Sequence, residues 1–264
     1  MKSDEMIGLN SKVFFKISAI VLLCLGSATS EARVFNIEKE SFAAYLKGTY
    51  GPSSILNTLN SDSKGNNAVL DSRLAYNLSG ELGFVYATPS IAMRFGLEVI
   101  RPPDLKDAKG TDAAGNNLYS LTSELSVIAP KFSVDINLKR WEKAKLFLEL
   151  GAGYASLAAR NSYILTTAGK TQFAIPDFYE DLRAGAPLYE AGIGYESLLT
   201  DATTFLVEGG YRVLNFTSVK HNSDITTFQG PVTKGAAATN MDGSNRTLNL
   251  NNYFIGLSLR FWLK

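Results

Sequence analysis

The sequence predicts an all-β protein, an eight-stranded antiparallel up-and-down transmembrane β-barrel. Three observations carry that prediction: a C-terminal stretch with nearly unbroken two-residue alternation, seven further alternating stretches before it, and connections that are alternately long and short. In the last stretch, Asn251 to Lys264, Tyr253, Ile255, Leu257, Leu259, Phe261 and Leu263 fall on one side of an extended strand, and Asn252, Gly256, Ser258 and Arg260 on the other. A period of two is that of a strand, and at 3.6 residues per turn the same apolar residues would scatter around a helix. An apolar face opposite a small or polar one suits a barrel wall between lipid and a polar interior.

The chain has 264 residues and a formal net charge of +1, with 45% hydrophobic and 19% charged residues. It has no basic run interleaved with aromatics, so no nucleic-acid role is expected. Residues 1–30 read as a secretory signal peptide: Lys12 and Lys16 precede an apolar run from Ile17 to Leu25, followed by small residues. Cleavage is expected after Ser30, or failing that after Ala32, and Met6 is an alternative start because Asp4 and Glu5 are unusual in such a leader. Cys24 lies inside the apolar run without the small preceding residue of a lipidation site, so the mature chain has no Cys and no thiol chemistry. Residues 31–40 form a periplasmic lead and 41–264 the barrel. Past the leader no segment reads as a membrane helix, and an exported membrane protein without one must close a barrel to satisfy its backbone in lipid.

The first strand places Phe42, Ala44, Leu46, Gly48 and Tyr50 opposite Tyr45, Lys47 and Thr49, and ends at Gly51 and Pro52. A polar loop, Ser53 to Asp71, follows. The second has Leu74, Tyr76, Leu78, Leu82, Phe84 and Tyr86 on one face and Arg73, Asn77, Ser79, Glu81 and Gly83 on the other. A short turn containing Pro89 leads to the third, with Ile91, Met93, Phe95, Leu97 and Val99 against Arg94, Gly96 and Glu98. Pro102 and Pro103 open a loop to Asn117.

The fourth, Leu118 to Leu138, changes phase: Tyr119, Leu121, Leu125 and Val127 are odd, Phe132, Val134, Ile136 and Leu138 even, which predicts a β-bulge near Ala129 and Pro130. A charged turn, Lys139 to Ala144, carries Trp141. The fifth has Leu146, Leu148, Leu150, Ala152 and Tyr154 opposite Glu149 and two glycines, and Asn161 to Pro187 reads as a third long connection, partly ordered around Phe173 to Leu182. The sixth sets Tyr189, Ala191, Ile193 and Tyr195 against Glu190 and Glu196; the seventh sets Phe205, Val207, Tyr211 and Val213 against Glu208 and Arg212. The longest loop, about Ser218 to Thr247, precedes the eighth. A sandwich would give regular strands but has no reason to lengthen every second connection.

The chain resembles the small eight-stranded outer-membrane barrels of Gram-negative bacteria, the group that includes the OmpA transmembrane domain and OmpX. The likeness covers about Phe42 to Lys264 and rests on strand rhythm and on Gly256, Leu259 and Phe261 of the final strand, which is similar to the signal read by the barrel-assembly machinery. It departs by running on through Trp262 to Lys264. The resemblance implies an outer-membrane location, with outer-membrane lipid and lipopolysaccharide as neighbours, and a structural or surface-interaction role. Nothing resembles a peptidoglycan-binding domain.

The candidate functional residues fall into three sets. The inward face is expected to carry Lys47, Arg73, Arg94, Arg212 and Arg260 with Glu81, Glu98, Glu124, Glu149, Glu190, Glu196 and Glu208. An eight-stranded barrel is just wide enough for side chains to fill, so these charges must pair or be hydrated. They form either a fixed polar plug or, as the OmpA resemblance suggests, a rearranging path for a narrow gated ion pore. Tyr50, Tyr86, Tyr119, Trp141 and Trp262 are expected at the membrane interfaces. The long loops are expected to carry any extracellular ligand. A different reading takes His221 and Ser223, whose spacing is similar to that in outer-membrane lipid A deacylases, as a catalytic pair in a lipid-modifying enzyme. No Glu follows Glu208 to complete a triad, and catalysis is not the favoured expectation. One His and no mature Cys leave no metal or cofactor site in view.

Overall fold

The structure, a computed structural model, describes residues 41–53, 69–70, 76–112, 114–240 and 243–263. The signal peptide, the periplasmic lead and Arg73 lie outside the described residues. Eight strands close a ring: β1 (Phe42–Pro52), β2 (Tyr76–Ala87), β3 (Ile91–Arg101), β4 (Asn117–Arg140), β5 (Ala144–Leu165), β6 (Phe178–Thr200), β7 (Thr203–Phe216) and β8 (Asn252–Trp262). Each pairs antiparallel with the next, and β8 pairs with β1 from Ala43↔Trp262 to Tyr50↔Ile255. No sheet edge remains in the ring, which is the condition for crossing lipid with strands.

The outward faces carry an apolar band in which Leu46, Leu82, Phe95, Ile136, Leu150, Ile193, Val207 and Leu257 are exposed. Tyr50, Tyr76, Tyr154, Tyr189, Tyr211 and Tyr253 rim it at the end with long connections, and Tyr86, Trp141 and Tyr195 at the end with short turns. Apolar side chains gain nothing by facing water in such numbers, and a band flanked by aromatic girdles is the lipid face of a barrel.

The strands are unequal. β1, β2, β3 and β8 have 11 or 12 residues, the length that spans a bilayer at barrel tilt. By contrast β4, β5 and β6 have 24, 22 and 23. About a dozen residues of each therefore run past the lipid layer, roughly 30 Å at a tilt of about 40°. This corrects the expectation of a loop over Asn161 to Pro187: β5 continues to Leu165, β6 begins at Phe178, and only a short helix, Thr167–Phe173, lies between them. Thr166 caps that helix by accepting from Gly169 N at 3.1 Å. The helix sits hard against β4, since a Cβ on Gly169 would fall 2.0 Å from the Leu118 carbonyl oxygen.

The bulge expected near Ala129 and Pro130 is absent. Pairing of β3 with β4 is continuous from Ile91↔Ile136 to Ile100↔Val127, and the only shift between β4 and β5 lies near the turn, between Asn137 and Lys139. What changes at Ala129 is the surroundings. Below it the outward residues of β4 are Phe132, Ile136 and Leu138 and the inward ones Lys131, Ser133 and Asp135; above it, beyond Ile128, the outward residues are Ser120, Thr122, Glu124 and Ser126 and the inward ones Tyr119, Leu121, Leu125 and Val127. A strand that leaves lipid for water exchanges its apolar face without changing register.

The extensions beyond the lipid band wrap an apolar core of their own. Strand Leu105–Thr111 continues the sheet beside β4 where β3 has ended, and Lys220–His221 does so beside β6 where β7 has ended. The loop after β7 folds over this half-barrel, burying Val219, Ala238, Leu248 and Leu250 against Leu121, Val127, Leu157, Leu182 and Leu188. Phe228 plugs the mouth, its ring 4.6 to 5.3 Å from those of Tyr119, Tyr163, Phe173 and Phe178.

Candidate functional site

Alternation along eight strands aims every second residue at the barrel axis. At membrane depth those residues include six cations, Lys47, Arg94, Lys131, Lys145, Arg212 and Arg260, and seven carboxylates, Glu81, Glu98, Asp135, Glu149, Glu190, Glu196 and Glu208, all buried. Their ion pairs span the barrel. Lys47 of β1 reaches Glu149 of β5 at 3.3 Å, and Arg94 of β3 reaches Glu208 of β7 at 2.8 Å. Arg260 of β8 reaches Asp135 of β4 at 2.6 Å, while Lys131 links Glu81 of β2 (2.7 Å) to Glu190 of β6 (2.5 Å). In a ring of eight these are opposite strands, so each of the four diameters is bridged.

The pairs form two groups. Towards the end with short turns, Lys47, Arg94, Lys145 and Arg260 balance Glu149, Glu208, Asp135 and Glu196, the last also accepting from Thr204 at 2.5 Å. Above them Lys131 and Arg212 share Glu81, Glu98 and Glu190, with Tyr45 donating to Glu81 and Ser79 to Glu98. Buried ions of this kind stay charged only while each keeps partners of opposite sign.

Of the residues expected in the lumen, Lys47, Glu81, Arg94, Glu98, Glu149, Glu190, Glu196, Glu208, Arg212 and Arg260 point inward. Glu124 does not: it lies on the outward face of β4 above the lipid, because the assumed phase change is absent. Lys131, Asp135 and Lys145 line the lumen as well, the first two on the face opposite Phe132, Val134 and Ile136, where the alternation alone could have placed them. Tyr50, Tyr86 and Trp141 face outward; two other supposed interface aromatics are corrected. Tyr119 is buried in the apolar core beyond the lipid band. Trp262 turns into the lumen, where its Nε1 donates to Thr204 at 3.1 Å.

Among the described residues, this core holds one charged group of its own. Glu180 accepts from Arg246 Nη1 at 2.6 Å and from Asn161 Nδ2 at 3.3 Å, and Asn161 accepts from Ser123 at 2.7 Å. His221 is buried with Nδ1 3.7 Å from Glu180 Oε1. Burial, aided by the Arg246 charge, holds the imidazole below its ordinary pKa against the opposing pull of Glu180. Glu180 is thus the acidic neighbour that the sequence order hid, since it precedes His221 and meets it across the β6 pairing. Ser223 is partly exposed, and no hydrogen bond joins it to His221 among the described residues. The group ties the loop to the sheet.

A closed ring, an apolar outer band and a paired ionic interior define a transmembrane β-barrel, here with a folded cap on one end. No family model matches the sequence, and no curated protein does. Among solved structures, the chain is similar to the attachment invasion locus protein Ail of Yersinia pestis (11% identity, TM-score 0.41, covering 84% of this chain and 99% of that one). It is similar also to the outer membrane protein OprG of Pseudomonas aeruginosa (13%, 0.42, 88% and 100%) and the outer membrane protease OmpT of Escherichia coli (10%, 0.44, 89% and 100%). The fold rests on the ring of pairings and its outward band rather than on these likenesses.

Proposed function

We propose that this chain is an outer-membrane barrel whose lumen is a fixed ionic plug and whose work is done at the cell surface by its cap, as an interaction module rather than a pore. The observation that carries this reading is the set of ion pairs bridging every diameter, roofed among the described residues by a mainly apolar core whose one polar group, around Glu180, is itself paired. An ion crossing would have to break several buried pairs and then traverse Leu121, Leu157, Leu182 and Leu214. Planar-bilayer recording of the refolded protein, with heat-modifiable gel migration as proof of folding, provides the test. Folded, silent protein is the expected outcome, and discrete openings that change in Arg212→Ala or Glu208→Ala would replace the plug with a gated pore. The surface role is tested by deleting 222–245 with the strands retained; a cell-surface ligand bound equally by the deletion variant would show that the loop is not its site.

A further inference from the structure

Two cations stand side by side on the outer surface of the cap. In the short strand Lys220–His221, Lys220 lies opposite Arg183 of β6 and His221 opposite Leu182. His221 and Leu182 are buried, which turns Lys220 and Arg183 outward, and both are exposed. Like charges directly opposite each other in an antiparallel pair repel. Asp181, the next outward residue of β6, is already held by Arg160 at 2.9 Å.

The ground beside them is low. Arg183 pairs across to Ala158, and Ala158 to Ser126; one step nearer the membrane Gly185 pairs with Ser156. Tyr154, in the upper girdle, lays its ring over Gly185, where a Cβ would come 2.4 Å from its hydroxyl oxygen. Climbing this face of β5 and β6 one therefore meets an apolar band, a tyrosine hydroxyl and then two cations around a floor of small residues. An anionic amphiphile has its parts in that order: chains, linkage, charged headgroup.

We propose that Arg183 and Lys220 bind the phosphate of a phosphorylated outer-leaflet glycolipid, whose chains lie along the outward faces of β5 and β6 and whose linkage region meets Tyr154. The anion removes the repulsion between the two cations and fixes the short strand against β6. This rests on the transmembrane reading, and heat-modifiable gel migration, run on every variant, separates failure of that reading from failure of the site.

The test is native mass spectrometry of the full chain refolded in detergent with a diphosphorylated glucosamine lipid, with the same lipid stripped of phosphate, and with sodium phosphate alone. Wild type should retain the phosphorylated lipid. Retention should fall about thirtyfold in Arg183→Gln/Lys220→Gln, as two lost contacts at an anionic surface imply. It should hold in Lys106→Gln, an exposed lysine elsewhere on the cap. Equal retention by the folded double variant, or of the phosphate-free lipid, overturns the proposal. Sodium phosphate displacing the lipid at matched concentration would assign the site to a soluble anion and overturn it as well.

Discussion

Replacing Arg94 with Met tests the plug most directly. Its guanidinium meets Asp135 and Glu208 at 2.8 Å each and also pairs with Glu149, and it is almost fully buried. Without it the lower group, at the end with short turns, holds three cations against four carboxylates. None of the three partners is left alone, because Lys47 still reaches Glu208 at 2.6 Å and Glu149 at 3.3 Å, and Arg260 reaches Asp135 at 2.6 Å. The cost should therefore fall at the lower end of that for breaking a buried pair, about 3 kcal/mol. Arg94→Met/Glu208→Gln restores three against three and should be less destabilised than Arg94→Met alone, by about 2 kcal/mol. Urea unfolding in lipid vesicles reads both, with the lumenal Trp262 as sole reporter in a Trp141→Phe background. A cost for Arg94→Met within about 0.5 kcal/mol, the range of an inconsequential surface change, would mean that water already screens these charges. The plug would then be refuted, whatever the conductance.

Other outcomes follow from the cap and the lipid boundary. His221 is held below its ordinary value in the folded cap, so the opened cap binds the extra proton; the part of cap stability that depends on neutral His221 is fully present above about pH 6.5 and declines as pH falls below it. Hydrogen exchange over 217–240 should accelerate on acidification in wild type and lose that dependence in His221→Gln. Phe228→Ala removes the ring packed on four aromatics and should loosen the cap by about 2–3 kcal/mol, exposing the loop to protease while leaving gel migration of the barrel unchanged. Along β4, Ile136→Lys should cost about 2–4 kcal/mol in vesicles, whereas Thr122→Lys, above the lipid on the same face, should cost less than about 0.5 kcal/mol.

The ring was legible wherever a strand has one environment throughout. β1, β3, β7 and β8 lie wholly in the lipid layer or nearly so, and Tyr253 to Phe261 or Ile91 to Val99 announce their outward face without ambiguity. Legibility failed where a strand passes from lipid into water. Leu121, Leu125 and Val127 are apolar because they face inward under the cap, and Phe132, Val134 and Ile136 because they face outward into lipid. Alternation reports which residues share a side, not which side is buried, so a change of solvent looks like a change of register. The same ambiguity hid the upper parts of β5 and β6, whose Asn161, Ser162, Arg183 and Gly185 read as loop. Most lumen charges were visible as polar residues on the inner face, but their partners were not: Lys47 meets Glu149 and Arg94 meets Glu208 at separations of about a hundred residues, set by ring closure alone.

β4, β5 and β6 cross the lipid boundary without a break, so one ladder of hydrogen bonds serves both halves of the molecule. There is no hinge at the water line. The cap cannot swivel or nod on its stem, and because it is rooted on three neighbouring strands it overhangs one side of the ring. Anything it grips is held at a set height above the membrane and always over the same flank, and a pull on the cap is felt directly by Lys131 and Glu190 within the bilayer.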